Sequence, residues 1–286
     1  MNVFSSCKLA TQACMERQSF TVAHLYKEEK TMDMHIHDCY EIYYSISGGR
    51  QFLIDNKFYY VAPGDLFIIN QFESHMLINV DGESHERIVV NLHPNFVKAL
   101  STEVTNLDEC FSVHPAAFQH KISLSREQQN RFLYHIDKIT SAEGYGADVI
   151  QRASVLELLV LVNWLSSCNA EQTAAPNYNH NHHVDDILSY INQNLVSDIS
   201  MQVIADEFNM SKSYLCRVFK KATGTTIGKY VTARRITIAR SLLSEGYSVT
   251  EAYEKSGFTD YSSFFKTFTR VVGISPKKYA ILRQTV

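Results

Sequence analysis

The chain has 286 residues, enough for two ordinary domains, and its 45% hydrophobic and 20% charged residues are normal for a soluble globular protein. The six cysteines are scattered without a CxxC pair, which argues against a disulfide scaffold or a zinc site and fits a reducing compartment. No signal-peptide pattern opens the chain, and its longest apolar run, residues 155–165, is far shorter than the roughly 20 residues that span a bilayer. We therefore expect a cytoplasmic protein with no membrane association.

The net charge of −3 conceals an asymmetry between the two parts of the chain. Residues 184–286 carry 14 Lys+Arg against 9 Asp+Glu, whereas the first 183 residues carry 13 against 21. A basic module joined to an acidic one indicates a polyanionic partner for the C-terminal part, although the same charge also suits a well-solvated domain.

Short apolar segments separated by turn signals follow one another between residues 20 and 92. The pairs Gly48-Gly49, Asp55-Asn56 and Asp81-Gly82 are typical of tight turns, because these residue types tolerate a positive φ. Strands are predicted at residues 41–47, 51–54, 57–61, 66–69, 75–80 and 87–92. Closely spaced strands with turn residues at each junction predict an antiparallel barrel or sandwich.

The spacing of apolar residues becomes helical after residue 123. A capping box, Ser125 to Gln128, begins a first helix that Gly144 and Gly146 end. The apolar stripe of this helix consists of Phe132, Leu133, Ile136 and Ile139. A second helix carries a seam spaced by four and three residues, at Val149, Ala153, Leu156, Val160 and Asn163. This seam packs against the barrel or forms a dimer interface, and the two roles do not exclude each other.

Two C-terminal segments resemble each other at a spacing of 49 residues. The repeated residues are Phe219, Gly224 and Tyr230 in the first copy and Phe268, Gly273 and Tyr279 in the second. An internal duplication of this size indicates two copies of one supersecondary unit. Residues 229–243 between them are predicted to form one long helix.

The first copy has the pattern of a helix-turn-helix. Ser200 caps its first helix, Asn209 occupies the turn, and Ser211 caps a second helix that Gly224 ends. The residues predicted to face inward are Val203, Ile204, Phe208, Leu215, Val218 and Phe219. Ala205 stands where the two helices cross closely and a small side chain is favoured.

The second copy repeats the pattern of the first. A capping box from Ser248 to Glu251 begins it, Gly257 takes the turn, and Gly273 ends the second helix. The predicted buried stripe is Phe264, Phe268 and Val271. Ordinary helical hairpins with solvated basic faces are the alternative, but two copies joined by a helix favour paired helix-turn-helix motifs.

These residues together resemble the DNA-binding domain of the AraC/XylS family of bacterial transcription regulators. The resemblance rests on Ile204-Ala205, residues 211–221, Gly224, Tyr230, Arg235-Ile236, Ala239, Leu242-Leu243, Gly257-Phe258, Asp260-Tyr261, Phe264, Phe268, residues 273–276 and Tyr279. Glu251-Ala252-Tyr253 departs from the usual Glu-Ile-Ala, so Tyr253 stands where a small residue is expected. We expect the second unit to be splayed or less fully engaged with DNA, and the first to supply most base readout.

The resemblance implies that the second helix of each unit enters a major groove of double-stranded DNA. Matching positions then place Ser213, Arg217, Tyr261, Ser262 and Lys266 near base edges. Arg217 is the strongest candidate, because its guanidinium fork pairs with guanine O6 and N7. Phosphate contacts are expected from Lys212, Lys220, Lys221 and Arg270. The resemblance also implies a homodimer that recruits RNA polymerase, as an activator more readily than as a repressor.

In the N-terminal part, His35-x-His37-x3-Glu41-x6-Gly48 and a looser Pro63-Gly64-Asp65 with His75 resemble the two signatures of cupin barrels. Cupin enzymes use such residues to hold a transition metal, so a metal-dependent cupin enzyme fused to a DNA-binding domain is the alternative function. We favour a receptor pocket, because a barrel joined to a DNA-binding domain is suited to sensing a ligand. His35, His37, Glu41 and His75 then bind a small-molecule effector, sugar-like by resemblance, without a metal, a cofactor or enzyme activity. A third possibility is that these polar residues are only structural.

The sequence therefore predicts an α+β multidomain protein. Residues 1–122 form a cupin-like effector-binding β-barrel, and residues 123–168 a helical hairpin that serves dimerisation. Residues 169–183, which lack periodicity, form a linker. Residues 184–286 form an all-α DNA-binding domain of two helix-turn-helix motifs joined by a long helix.

Overall fold

A computed structural model describes residues 4–27, 34–48, 51–78, 85–111, 120–170, 182–197 and 199–284. Its N-terminal part is an antiparallel β-structure of two sheets, and its C-terminal part is helical, as the sequence predicts. The strands are β1 Phe20–Lys27, β2 Tyr40–Ser45, β3 Gln51–Ile54, β4 Lys57–Tyr59, β5 Asp65–Ile69, β6 His75–Ile78, β7 His85–Leu92 and β8 Lys121–Ser123. One sheet has the order β1-β7-β2-β5-β8, and the other has the order β4-β3-β6.

Alternation along the strands divides the apolar residues between two cores, because successive side chains point to opposite faces of a sheet. On β2, Ile42 and Tyr44 face the helices packed outside the sheet, whereas Tyr43 faces the interior between the two sheets. That interior is filled by large side chains, among them Phe52 and Phe67. Glu41 is also on the inner face of β2, and it is buried there.

The helices are α1 Cys7–Arg17, α2 Pro94–Leu100, α3 Arg126–Ser141, α4 Ala147–Ala170, α5 His182–Gln193, α6 Met201–Glu207, α7 Lys212–Thr223, α8 Ile227–Ser244, α9 Val249–Lys255, α10 Tyr261–Val272 and α11 Pro276–Gln284. The sequence pattern does not predict α1, which has no marked apolar face and buries only Ala10 and Cys14. It does predict α3 with its capping box at Ser125, which the structure confirms.

The hairpin of α3 and α4 packs on the outer face of the larger sheet. The residues of α4 that make this contact are Val155, Leu158, Leu159, Leu161, Val162 and Leu165. The predicted seam lies on the other side, since Val149, Leu156 and Val160 are exposed and Ala153 is exposed as well. Of the two roles left open for the seam, packing against the barrel is therefore wrong for these residues. Asn163 alone turns inward, where its amide donates to Leu107 O.

Helix α4 is longer than the apolar run in the sequence suggests. Residues Ala147–Asn169 are long and apolar enough to span a membrane by length and composition alone. Their packing on the sheet accounts for part of this apolar character, because a core helix of a globular protein has the same composition. The helix also extends to Ala170 and α5 begins at His182, so the predicted linker is partly helical at both ends.

Helices α5 to α11 form the two predicted helix-turn-helix units. The first packs Ile204, Leu215 and Phe219 into one core, and the second packs Phe264 and Phe268 into another. Three inward assignments are wrong: Val203, Val271 and, on α3, Leu133 have 44%, 48% and 37% of their surface exposed. Each lies at the edge of its apolar stripe, where the helix surface curves away from the core.

Gly257 is the turn residue of the second unit, and its φ of +83° requires glycine. We expect Gly257→Ala to cost roughly 3 kcal/mol, from the strained backbone and from overpacking. The added Cβ would lie 2.3 Å from Leu195 O and 2.8 Å from Val196 Cα. The control is Gly246→Ala, because Gly246 has a φ of +96° but no atom within 4 Å of an added Cβ. Urea unfolding should show a clearly smaller loss for the control, and equal losses would contradict the close approach.

Candidate functional site

The second helix of each unit, α7 or α10, is fixed at both ends. Ser211 caps α7 and Asp260 caps α10, each by accepting a hydrogen bond from a backbone N–H three residues on. Gly224 and Gly273 end the two helices in the left-handed conformation, with φ of 70° and 85°. Both helices therefore have defined lengths of 12 residues and present a fixed outer face.

All residues predicted to contact DNA lie on these outer faces and are exposed. On α7 they are Lys212, Ser213, Arg217, Lys220 and Lys221, and on α10 they are Tyr261, Ser262, Lys266 and Arg270. The sequence pattern does not predict a role for Tyr214, whose ring lies 5.4 Å from the guanidinium carbon of Arg217. This cation–π contact orients the arginine on the helix surface, and the i, i+3 spacing of the two residues was its only sequence signal.

Tyr253 stands between the helices of the second unit. Its ring is 5.4 Å from the ring of Tyr261 and 5.8 Å from that of Phe264. Ala252, one residue earlier, is fully buried in the core of the unit, so it occupies the tightly packed position that Ile204 holds in the first copy. The large aromatic side chain thus fills the helix crossing and partly engages Tyr261, one of the predicted base contacts.

The four polar residues predicted for the barrel come together in one cluster. One ligand atom from each of His35, His37, Glu41 and His75 lies within 4.8 Å of all the others. Two backbone hydrogen bonds of 3.1 Å pair His35 with His75, and Glu41 reaches the cluster from the inner face of β2. Glu41 Oε2 is 2.9 Å from His37 Nε2, and Glu41 Oε1 is 3.8 Å from His75 Nε2.

The surroundings of the cluster favour the charged form of Glu41 and the neutral form of His75. Burial alone would raise the pKa of Glu41, but the hydrogen bond from His37 and the nearby imidazoles lower it to about 2. Burial, with the neighbouring His35, lowers the pKa of His75 well below its ordinary value. At neutral pH the cluster therefore combines an ionised carboxylate with a neutral His75.

A cavity of about 940 Å³ lies between α1, residues 35–38 and the end of α10, and the strand residues Leu25 and Arg87 of the barrel also line it. Its polar wall includes Ser6, Thr11, Gln12, Asp38 and Arg240, which come from three separate parts of the chain. His35 and His37 also reach this wall. Glu41 and His75 lie deeper, so the predicted effector residues divide into two that line the cavity and two behind them.

Helix α8 is joined to the barrel by two ion pairs. Arg240 pairs with Asp38, and the side chains of these two residues are 6% and 12% exposed. Arg234 pairs with Asp55, whose backbone carbonyl also accepts a 2.9 Å hydrogen bond from the hydroxyl of Tyr230. The helix that connects the two units is thus held by the effector-binding part of the chain at both of its ends.

His85 lies between the two sheets, where it accepts a hydrogen bond from the Tyr43 hydroxyl and donates one to Gly48 O. Burial, and then the charge of Arg87, lower its pKa from 6.5 to about 4. The unfolded chain therefore binds a proton in this pH range that the folded chain does not, so stability present above pH 6.5 falls as the pH approaches 4. We expect a loss on the order of 2 kcal/mol.

The variant His85→Gln tests this assignment, because it retains a donor and an acceptor but does not titrate. Urea unfolding between pH 7 and pH 4 should show a shallower decline for the variant than for the unmodified chain. The same decline in both chains would contradict the role given to His85.

Comparison with known proteins supports both halves of this description. Residues 18–136 match the model of the AraC-like ligand binding domain, and residues 204–280 match that of a helix-turn-helix domain. The multiple antibiotic resistance protein MarA of Escherichia coli K12 is 32% identical over 97 residues, which are 34% of this chain and 76% of MarA. The chain belongs to the AraC family of transcription regulators. It is a regulator with a ligand-binding N-terminal domain and a helix-turn-helix DNA-binding domain.

Two further AraC-family relatives align with most of the chain. YbfI, an HTH-type transcriptional regulator of Bacillus subtilis, is 24% identical over 230 residues, 80% of this chain and 79% of YbfI. RhaS of Escherichia fergusonii, an HTH-type transcriptional activator, is 22% identical over 248 residues, 85% of this chain and 86% of RhaS. Because these alignments span both domains, the likeness covers the joined architecture as well as the DNA-binding part.

Proposed function

We propose that this AraC-family regulator is controlled by a small polar effector bound in the cavity beside residues 35–38. The position of Arg240 carries the proposal, because this one side chain lines the cavity and also belongs to the helix that joins the two DNA-binding units. A ligand there touches the barrel, α1 and the second unit at once. The contacts of the ligand therefore change with the relative position of the domains. Such a difference in contacts is the condition for a ligand to shift a conformational equilibrium.

The cavity wall favours a polyhydroxylated effector of sugar size. Hydroxyl, amide, carboxylate and guanidinium groups are contributed by Ser6, Thr11, Gln12, Asp38 and Arg240. A few polar groups placed in a partly apolar cavity determine the orientation of a bound ligand. His35 and His37 add imidazoles at the same wall, whereas Glu41 and His75 act from behind them.

We propose a regulatory rather than a catalytic role for the barrel. A substrate in the cavity would meet His35 and His37, but Glu41 and His75 are 3% and 0% exposed and lie away from the cavity wall. The alternative, a metal-dependent cupin enzyme, requires a substrate to reach an open coordination position on the metal. The buried arrangement supports a receptor more than an enzyme.

DNA binding follows from the outer faces of α7 and α10. Ser213 and Arg217 on α7, with Tyr261, Ser262 and Lys266 on α10, are proposed to read bases. Lys212, Lys220, Lys221 and Arg270 are proposed to contact phosphates, which fix position without reading sequence. The first unit is proposed to supply most base readout, because Tyr253 engages Tyr261 in the second.

A homodimer through the exposed seam of α4 is the proposed assembly. The seam residues Val149, Leu156 and Val160 are 64%, 38% and 48% exposed, and Trp164 on the same side is 49% exposed. Apolar residues at alternating spacings of four and three form the seam of a helical pair, so a second copy of α4 is a fitting partner. We further propose a cytoplasmic activator that recruits RNA polymerase, in keeping with the likeness to the transcriptional activator RhaS.

The test of this function uses two measurements on the full-length protein. A panel of sugars and other polar metabolites is screened for a rise in melting temperature, because a ligand that binds only the folded state stabilises it. The compound found is then added to a DNA-binding assay, where it should change the affinity for a selected site. A stabilising compound that leaves DNA affinity unchanged, or no stabilising compound and no DNA binding, would contradict the proposal.

A further inference from the structure

The outer face of α10 carries two adjoining aromatic rings. Tyr261 and Phe265 are 46% and 38% exposed. The other exposed residues of this face are polar or charged, namely Ser262, Lys266 and Arg270. Single exposed apolar residues are ordinary in proteins, but two adjoining rings on a polar helix face form a small apolar patch. A partner that covers this patch is therefore expected to offer an apolar group.

The helical periodicity of α10 places Phe265 among the residues proposed to read bases. Phe264, one residue earlier, is fully buried in the core of the second unit, so the ring of Phe265 lies outside that core. Residues three and four apart are neighbours on a helix surface, and Phe265 therefore lies beside Tyr261 and Ser262. Lys266 is the next residue along the chain. The ring thus lies within the surface that is proposed to face the bases.

The internal duplication shows that the two units use this position differently. At the spacing of 49 residues, Phe265 corresponds to Cys216 of α7, which is also exposed. Lys266 corresponds in the same way to Arg217. The first unit therefore places a small thiol beside its cation, whereas the second unit places a large ring there. Because both positions face outward, the difference concerns what each helix contacts rather than how each unit folds.

A series of aromatic contacts supports the exposed ring. The ring centroids of Tyr261 and Phe265 are 6.4 Å apart, with an angle of 37° between the ring planes. Tyr253 contacts Tyr261 edge-on, with centroids 5.4 Å apart, and also packs against the buried Phe264 at 5.8 Å. Tilted and edge-on pairs at these distances are favourable arrangements of aromatic rings. The contacts extend from the core of the unit to Phe265, so its ring is presented in a restricted position.

We propose that Phe265 reads the C5-methyl group of a thymine in the major groove that α10 enters. The methyl group of thymine is an apolar group among the hydrogen-bond donors and acceptors of the base edges, and phenylalanine is one of the side chains that contact it. Lys266 and Arg270 on the same face supply positive charge that attracts the DNA backbone. The inference rests on the proposed function, because it requires α10 to enter a groove, and it adds an apolar mode of sequence recognition to the second unit.

Deoxyuridine substitution tests the inference on the unmodified full-length protein. A site is selected from random duplexes, and each of its thymines is then replaced singly by deoxyuridine, which lacks the methyl group but keeps the same hydrogen-bonding groups. At one thymine or more in the stretch assigned to α10, the affinity should fall about fourfold, the effect of leaving a methyl group unburied. Fluorescence anisotropy measures these affinities. Equal affinity for the thymine duplex and for every deoxyuridine duplex would overturn the inference.

The variant Phe265→Ala assigns the response to the ring. It should bind the thymine and the deoxyuridine duplex with equal affinity at the responsive position, because no side chain then contacts the methyl group. Leu282→Ala is the matched control, since Leu282 is an apolar residue of α11 in the same unit and is 53% exposed. This control should keep the preference for thymine. A preference that Phe265→Ala retains, or that both variants lose, would overturn the role of Phe265.

This inference and the proposed function fail in different ways. If no sequence is enriched from random duplexes, the proposed reading of DNA is contradicted, and the role of Phe265 with it. If a selected site is bound and no missing methyl group changes the affinity, the role of Phe265 alone is contradicted. If Phe265→Ala lowers transcription while its response to deoxyuridine matches that of the unmodified chain, the ring contacts a protein partner instead, which also overturns the inference.

Discussion

Replacing Arg240 by alanine should destabilise the protein by about 3–5 kcal/mol, the usual cost of removing one partner of a buried ion pair. Arg240 and Asp38 are 6% and 12% exposed at their side chains, so the carboxylate left behind loses its charged partner in a mostly buried position. The substitution also removes the hydrogen bond to Ile36 O and the packing over Phe72 and Tyr279. Urea unfolding of the full-length chain measures the effect.

The control for this prediction is Arg270→Ala. Arg270 is an arginine of the neighbouring helix α10 and is exposed, so its removal should change stability by less than about 0.5 kcal/mol. Arg240→Lys keeps the charge but loses the planar guanidinium, and an intermediate loss is expected. A loss below about 1 kcal/mol for Arg240→Ala would contradict the view that this ion pair holds the domains together.

Replacing Arg217 by alanine should weaken binding to a selected DNA site by about 1–3 kcal/mol, which is roughly 5- to 150-fold. Arg217 is exposed on α7 and is oriented by the ring of Tyr214, so its guanidinium is positioned for a bidentate contact with a guanine. The loss should be confined to sites with the preferred base, because the arginine reads sequence. Fluorescence anisotropy with matched and single-substituted duplexes measures both effects.

Lys221→Ala is the matched control, since Lys221 is a cation near the end of the same helix. This variant should weaken binding to all sequences alike and reduce the slope of log affinity against log salt by about 1. Arg217→Ala should instead flatten the preference at one base position. Uniform weakening by both variants would contradict the assignment of Arg217 to base readout.

The helical half of the fold could be predicted from the sequence because the signals for its helix ends and turns are local. Ser211, Gly224 and Gly257 each act within one helix end or turn, and the structure shows them in the expected conformations. Repetition at a spacing of 49 residues supplied independent support for each feature. Errors arose where burial depends on the neighbouring element, as for Val203 and Val271, which lie at the margins of their stripes.

The histidine cluster could also be predicted from the sequence, because His35, His37 and Glu41 are close along the chain and His75 follows in a related pattern. The contacts between domains could not be predicted in this way. Asp38 and Arg240 are 202 residues apart, and neither belongs to a motif that would single it out. The cavity depends on the same packing, as it forms only where α1, the barrel and α10 meet. Long-range pairs of this kind follow from tertiary structure and produce no periodic pattern in the sequence.

Footprinting on a site selected from random duplexes tests most directly whether α7 and α10 read DNA together. The full-length protein should enrich one sequence and protect two stretches on one face of the duplex, about 10 base pairs apart, as expected for adjacent major grooves. Arg217→Ala should remove the preference at one base position within the stretch assigned to the first unit. Binding without any enriched sequence, or protection of a single groove that Arg217→Ala leaves unchanged, would contradict it.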